Sequence, residues 1–153
     1  MPSNIRPLHF VFKIGNRTKT IAFYRQLLGM SVLRHEEFTE GCNAACNGPY
    51  SGKWSKTMIG YGDEHTNFVV ELTYNYGIRE YERGKDFDGL RLISSSAFER
   101  IRNQTEYSFK QLQDGFIELF DPNGYRFLIE SSNSELDNVI SGVCLVASDL
   151  DTA

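Results

Sequence analysis

The sequence predicts an α+β fold assembled from two βαβββ halves. Three observations predict it: an alternating strand near the start that runs into a helix cap, a weaker copy of that strand–helix order in the second half, and hairpin chemistry that closes the copy. With 153 residues the chain has the size of one domain and can bury about two-thirds of its unfolded surface. Hydrophobic residues at 41% with only four prolines call for a packed core and exclude disordered, collagen-like and coiled-coil chains. A net charge of −4 with no Lys/Arg cluster argues against nucleic acid or an anionic membrane surface and leaves a small molecule or another protein as partner. No apolar run approaches the roughly eighteen residues that span a bilayer, and the opening MPSNIRPLHF reaches a strand too soon for a signal or transit peptide. An intracellular setting is expected, cytoplasmic or mitochondrial.

Residues 8–14 alternate as a strand, with Phe10, Phe12 and Ile14 on one side and His9, Val11 and Lys13 on the other. Asn16 has N-cap chemistry for a helix whose apolar positions Ile21, Phe23, Tyr24, Leu27 and Leu28 cluster on one side, and Gly29 supplies the stop. Residues 30–33 read as a short strand, and 35–53, rich in Gly, Asn and Glu, as a long functional or flexible loop. Strands follow at 54–61 and 67–74, split by the turn at Gly62, Asp63 and Glu64.

The second copy begins with a strand at 89–93 and a short helix in which Ser96 and Glu99 have capping-box spacing. It ends with strands 116–120 and 125–129, joined by Asp121-Pro122-Asn123-Gly124. Tyr125, Phe127 and Ile129 form the apolar face of the last strand, leaving Arg126, Leu128 and Glu130 opposite. One domain thus covers 5–131, in halves of about 5–77 and 88–131; 132–138 have linker composition. Residues 139–153 read as the first strand of a further module, because Val143 to Asp149 repeats the strand-into-cap pattern of His9 to Asn16. Three cysteines are too few for a disulfide framework, and Cys42 and Cys46 lack the second pair that a zinc tetrahedron needs, so all are read as free thiols.

Residues 8–16 and 23–30, the stretch Ile59-Gly60-Tyr61-Gly62, the stretch Val70-Glu71-Leu72-Thr73-Tyr74-Asn75-Tyr76-Gly77 and the turn Asp121-Pro122-Asn123-Gly124-Tyr125 resemble glyoxalase I and the vicinal oxygen chelate superfamily. Residues 35–58 resemble the first module of a larger glyoxalase-domain protein. The resemblance implies paired βαβββ units forming a curved mixed sheet around a pocket. It also implies a divalent metal (Zn, Ni or Mn) held by a His and a Glu from each half. His9 and Glu71 take the first two ligand positions, while the other two fall on Gly89 and Leu128. The second Glu is also the family's catalytic base, so on this chain the resemblance implies the pocket without the residues of the reaction. For glutathione it assigns Lys13, where the family has an arginine, together with Thr73 and Asn75. Arg91 and Arg126, if they share that face, favour an anionic ligand.

The residues themselves leave two readings open. His9 and Glu71 converge across neighbouring strands either as metal ligands or as an ordinary polar pair, and two ligands alone bind a divalent ion weakly. Lys13 is either a ligand contact or a sheet-edge lysine with its amine in water; Thr73 and Asn75 are ligand contacts or plain strand-end residues. His35 and His65, placed in a loop and a turn, are read as surface residues. The expected function is therefore a glyoxalase-like module that binds a small anion, a glutathione conjugate among the candidates, or a protein partner. The alternative is a metal-dependent lactoylglutathione lyase-type enzyme, its site completed by a second copy in a homodimer or by a C-terminal module of the same fold. Aligning Ser148-Asp149 with Gly15-Asn16 sets Gly142 where His9 would be, so the next strand brings no histidine of its own.

Overall fold

The computed structural model describes residues 6–41, 52–132 and 138–148. Cys42, Cys46 and the cap at Asp149 lie outside them. The first half comprises β1 (His9–Ile14), α1 (Arg17–Ala22) continued by a π-turn at Phe23–Leu27, β2 (Ser31–Phe38), β3 (Trp54–Gly60) and β4 (Val69–Asn75). The second comprises β5 (Phe87–Ile93), α2 (Ser95–Arg102), β6 (Phe109–Gln111), β7 (Ile117–Phe120) and β8 (Arg126–Glu130), after which β9 (Val139–Leu145) follows.

The two sheets have the same internal order, β1-β4-β3-β2 and β5-β8-β7-β6, with β9 added outside β5. In each half the first strand lies parallel to the fourth, and the remaining neighbours are antiparallel. The repeat expected from the sequence is therefore a repeat of topology, two βαβββ units in an α+β fold.

Local chemistry explains most boundaries. The Asn16 side chain accepts the Lys19 amide hydrogen bond and starts α1, and Gly29 leaves the helical run at φ +79°. Three elements differ from expectation. β2 runs on to Phe38, so residues 35–38 are strand, not loop, and His35 sits in the sheet. β2 is an edge strand with neither face buried, which removes the alternation that marks a strand; cross-strand partners hold it instead, with Phe38 stacked on Trp54 at 4.2 Å and Lys56 paired with Glu36 at 3.1 Å. The cap of α2 is Ser94, which accepts from the Ala97 amide, rather than Ser96. Ser94 is fully buried at the end of β5, and three successive serines make the spacing ambiguous in sequence. β6 is three exposed residues with no signal of its own. β9 starts at Val139 and pairs antiparallel with β5.

The apolar faces of both sheets meet in one core. Phe12, Ile14 and Leu72 from the first sheet, Leu90, Phe127 and Ile129 from the second, and Phe23, Leu28, Phe98 and Ile101 from the helices are all buried there. Phe12 stacks on Tyr125 at 4.0 Å and Tyr24 meets Phe127 edge-on at 5.5 Å, so the aromatic contacts cross between halves. Polar contacts from the β7–β8 turn complete the joint: Asn123 Oδ1 accepts from the Gly15 amide at 2.9 Å, its Nδ2 donates to Thr20 Oγ1 at 2.9 Å, and Tyr125 OH donates to the Lys13 carbonyl at 2.9 Å. Asn123→Ala is expected to lower unfolding free energy by about 1–3 kcal/mol, because it strips partners from the buried Thr20 and from the Gly15 amide. Urea denaturation checks this, and an unchanged midpoint would contradict it.

Candidate functional site

Because the Phe12 and Leu72 faces turn inward, the opposite face of the first sheet carries Val11, Lys13, Glu71 and Thr73. β1 and β4 run parallel with Val11 opposite Glu71, which sets His9 two residues back from the carboxylate. His9 Nε2 lies 3.6 Å from Glu71 Oε2, and Thr73 Oγ1 donates to Glu71 Oε1 at 3.3 Å. The Glu71 side chain is only 12% exposed against 38% for His9, so the carboxylate is held in the wall with the imidazole at its open side. Asn75 Nδ2 donates to Tyr81 OH at 2.9 Å, while its Oδ1 is buried with no partner among the described residues.

The second sheet repeats this register with other residues. Arg91 stands opposite Leu128, so Gly89 and Leu128 bear the same offset to each other as His9 and Glu71. Neither position offers a donor atom. Among the described residues no group of three His, Cys, Asp or Glu comes together as a metal centre. His35 Nδ1 is 2.8 Å from Thr57 Oγ1 and its Nε2 is 3.1 Å from Glu37, on a different face from Glu71, and His65 lies in the 63–67 turn. Cys144 is a free thiol in β9.

A cleft of about 1070 Å³ opens where the β7–β8 turn meets β1, lined by Lys13, Arg83 and Arg126, by the carboxylates of Glu80, Glu82, Asp86 and Asp88, and by Val11, Tyr81 and Tyr125 among others. It brings Lys13 and Arg126 together from opposite halves. His9, Glu71, Thr73, Asn75 and Arg91 are not part of its lining. Arg126 is already engaged, with Nε 2.6 Å from Glu118 and Nη1 3.0 Å from Asp88. Burial opposes its charge, and those two carboxylates outweigh burial and raise its pKa. Arg91 lies over the Phe116 ring at 4.8 Å. Tyr81 and Arg83 are not singled out by the sequence, because the connection between β4 and β5 has no periodicity to read. Burial pushes the Tyr125 phenol up to about 12, so it remains a donor to Lys13.

A second polar cluster, also unread in the sequence, joins β2, β3, β4 and α1. Glu37 accepts from Arg17 Nη1 at 2.6 Å and from Tyr76 OH at 2.8 and 2.9 Å, and His35 stands beside it. Burial alone would raise its carboxyl, but these hydrogen bonds prevail and hold it down at about 2.

Comparison with known proteins agrees with this architecture. No protein-family model matches the chain. Glyoxalase domain-containing protein 4 of Rattus norvegicus is 52% identical over 145 residues, 95% of this chain and 48% of that protein. Glyoxalase 1 of Caenorhabditis elegans is 49% identical over 124 residues, 81% of this chain and 43% of that protein. Among solved structures, glyoxalase I from Zea mays superposes with a TM-score of 0.76 at 25% identity, covering 95% of this chain and 51% of that one. The chain spans about half the length of the curated relatives it matches.

The lowered Glu37 pKa fixes the sign of an acid response. The folded carboxyl releases its proton more readily than the unfolded one, so its contribution is complete above the ordinary value of 4.5 and is lost as pH falls toward about 2. Thermal melts between pH 5 and pH 2 are expected to show a shallower loss of Tm in Glu37→Gln than in the parent chain. Parallel curves would contradict the assignment.

Proposed function

The chain belongs to the vicinal oxygen chelate superfamily, and from that premise we propose that it is a glyoxalase-like module which binds a small anionic ligand, a glutathione conjugate among the candidates, without glyoxalase I activity on its own residues. The observation that carries this reading is the unequal register of the two halves: His9 and Glu71 converge at 3.6 Å, while the matching pair is Gly89 and Leu128. A catalytic divalent ion takes three or more protein ligands. Two donors do not fit one, and Leu128 has no group that could accept a substrate proton.

Binding needs less. Lys13 supplies a point charge for a carboxylate on the β1 side of the cleft, away from Arg126, which is tied to Glu118 and Asp88; Glu80, Glu82, Asp86 and Asp88 also line the cleft and confine an anion to the Lys13 side. Thr73 steadies Glu71, and Asn75, buried behind the cleft, acts through Tyr81, whose hydroxyl its Nδ2 holds at the cleft wall. Arg91, stacked on Phe116 outside the cleft, is assigned a field effect at most. No helix among the described residues is long and apolar enough to cross a membrane, and a cytoplasmic or mitochondrial setting belongs to the same proposal.

The relatives' length favours one second reading. The other half of a longer protein, or a second copy of the chain in a homodimer, would supply the missing donors and make a metal-dependent, lactoylglutathione lyase-type centre with His9 and Glu71. Thermal-shift titration with Zn²⁺, Ni²⁺, Mn²⁺ and S-hexylglutathione separates the readings for the 153-residue chain. S-hexylglutathione is expected to raise Tm in a manner lost in Lys13→Ala, with the metal response the same in His9→Ala as in the parent. A stabilisation of several degrees by metal that disappears in both His9→Ala and Glu71→Ala would overturn the first reading in favour of the second.

A further inference from the structure

Beside α1 lies a groove of about 460 Å³, lined by Asn16, Arg17, Tyr74, Tyr76 and Arg79 among others; a smaller hollow that shares Asn16 and Arg79 with it and Lys13 and Tyr81 with the cleft lies between the two. Tyr74 stands opposite Ile14 in the β1–β4 register, so this is the helix side of the first sheet and not the His9–Glu71 face. The volume falls within the range of small-ligand sites. Two guanidinium residues line it and no carboxylate does; Glu37 behind the groove balances Arg17, so Arg79 is the net charge that favours an anion.

The two arginines differ in a useful way. Arg17 is fixed: its guanidinium lies 5.2 Å over the Tyr74 ring and 5.4 Å over the Tyr76 ring, and Nη1 donates to Glu37 at 2.6 Å and Ser55 at 2.9 Å. Glu37 is itself held by Tyr76 and His35, so a ligand would meet a cation whose position is already set. Arg79 is exposed and has no hydrogen-bond or ion-pair partner among the described residues. The Tyr74 hydroxyl likewise has no partner among them. A stacked, anchored arginine, an unengaged one and two phenol rings form a recognisable donor set for a flat anion.

We propose that this groove binds a small planar organic anion, its acid group taken by Arg79 beside the fixed Arg17 and its ring laid against Tyr74, since Arg17 and Lys53 already lie over the Tyr76 ring. The site uses Arg17, Tyr74 and Tyr76, none of which lines the glyoxalase-like cleft, and needs no metal.

An NMR titration of the 153-residue chain with sodium benzoate tests it, with cyclohexanecarboxylate and inorganic phosphate in parallel. Benzoate is expected to shift the amides of Arg17, Tyr74, Tyr76 and Arg79, to bind more tightly than the non-planar acid or phosphate, and to lose about tenfold in affinity in Arg79→Ala, a surface change that leaves the fold intact. Shifts confined to the Lys13 cleft, no shift in the groove, equal affinity for cyclohexanecarboxylate, or an Arg79→Ala chain that binds as before would each overturn the proposal.

Discussion

Asn123 reaches from the β7–β8 turn of the second half to the Gly15 amide and the Thr20 hydroxyl of the first, and Tyr125 beside it reaches the Lys13 carbonyl. Asp121 keeps that turn in shape by accepting from the Asn123 and Tyr125 amides. The carboxyl does so at a cost: burial raises its pKa, tempered by the hydrogen bond from the Asn123 side chain, by these two amides and by the charge of Arg83. Gly124, at φ +81°, lets the chain turn back after Asn123. The clasp fixes where β8 stands against β1, and with it the stack of Tyr125 on Phe12 and the shape of the cleft.

Since the two apolar faces meet in one core, the polar faces are left to carry the candidate site. The first sheet presents an imidazole and a carboxylate in contact; the second, at the same register, presents a glycine and a leucine, with Arg126 tied between Glu118 and Asp88. The two halves thus share one register and carry different side chains at the matching positions. Ion pairs at the Arg126 position are partly exposed and add little stability, so their consequence is for the field around Lys13.

Legibility in the sequence followed the range of the interactions. β1, the Asn16 cap and the β7–β8 hairpin could be read because alternation, capping and turn chemistry act over a few residues. β2 could not be read beyond residue 33, since its outer half is held by Phe38 on Trp54 and Glu36 on Lys56, contacts made across strands by residues that look like loop. The pairing of His9 with Glu71 was legible from strand parity together with family resemblance. The capture of Arg126 by Glu118 and Asp88 was not, nor were Tyr81 and Arg83 at the cleft, because only the folded chain brings these residues to one place. The Arg17–Glu37–Tyr76 cluster escaped for the same reason, its members coming from three separate elements or their ends.

In the proposed function His9 and Glu71 are two of the donors a metal centre needs, with no others beside them among the described residues. Equilibrium dialysis of the 153-residue chain against roughly micromolar free Zn²⁺, followed by elemental analysis, tests it directly. The retained zinc is expected to be far below one equivalent and no lower in the double variant His9→Ala/Glu71→Ala. A full equivalent of zinc retained by the parent chain and lost from that variant would contradict it.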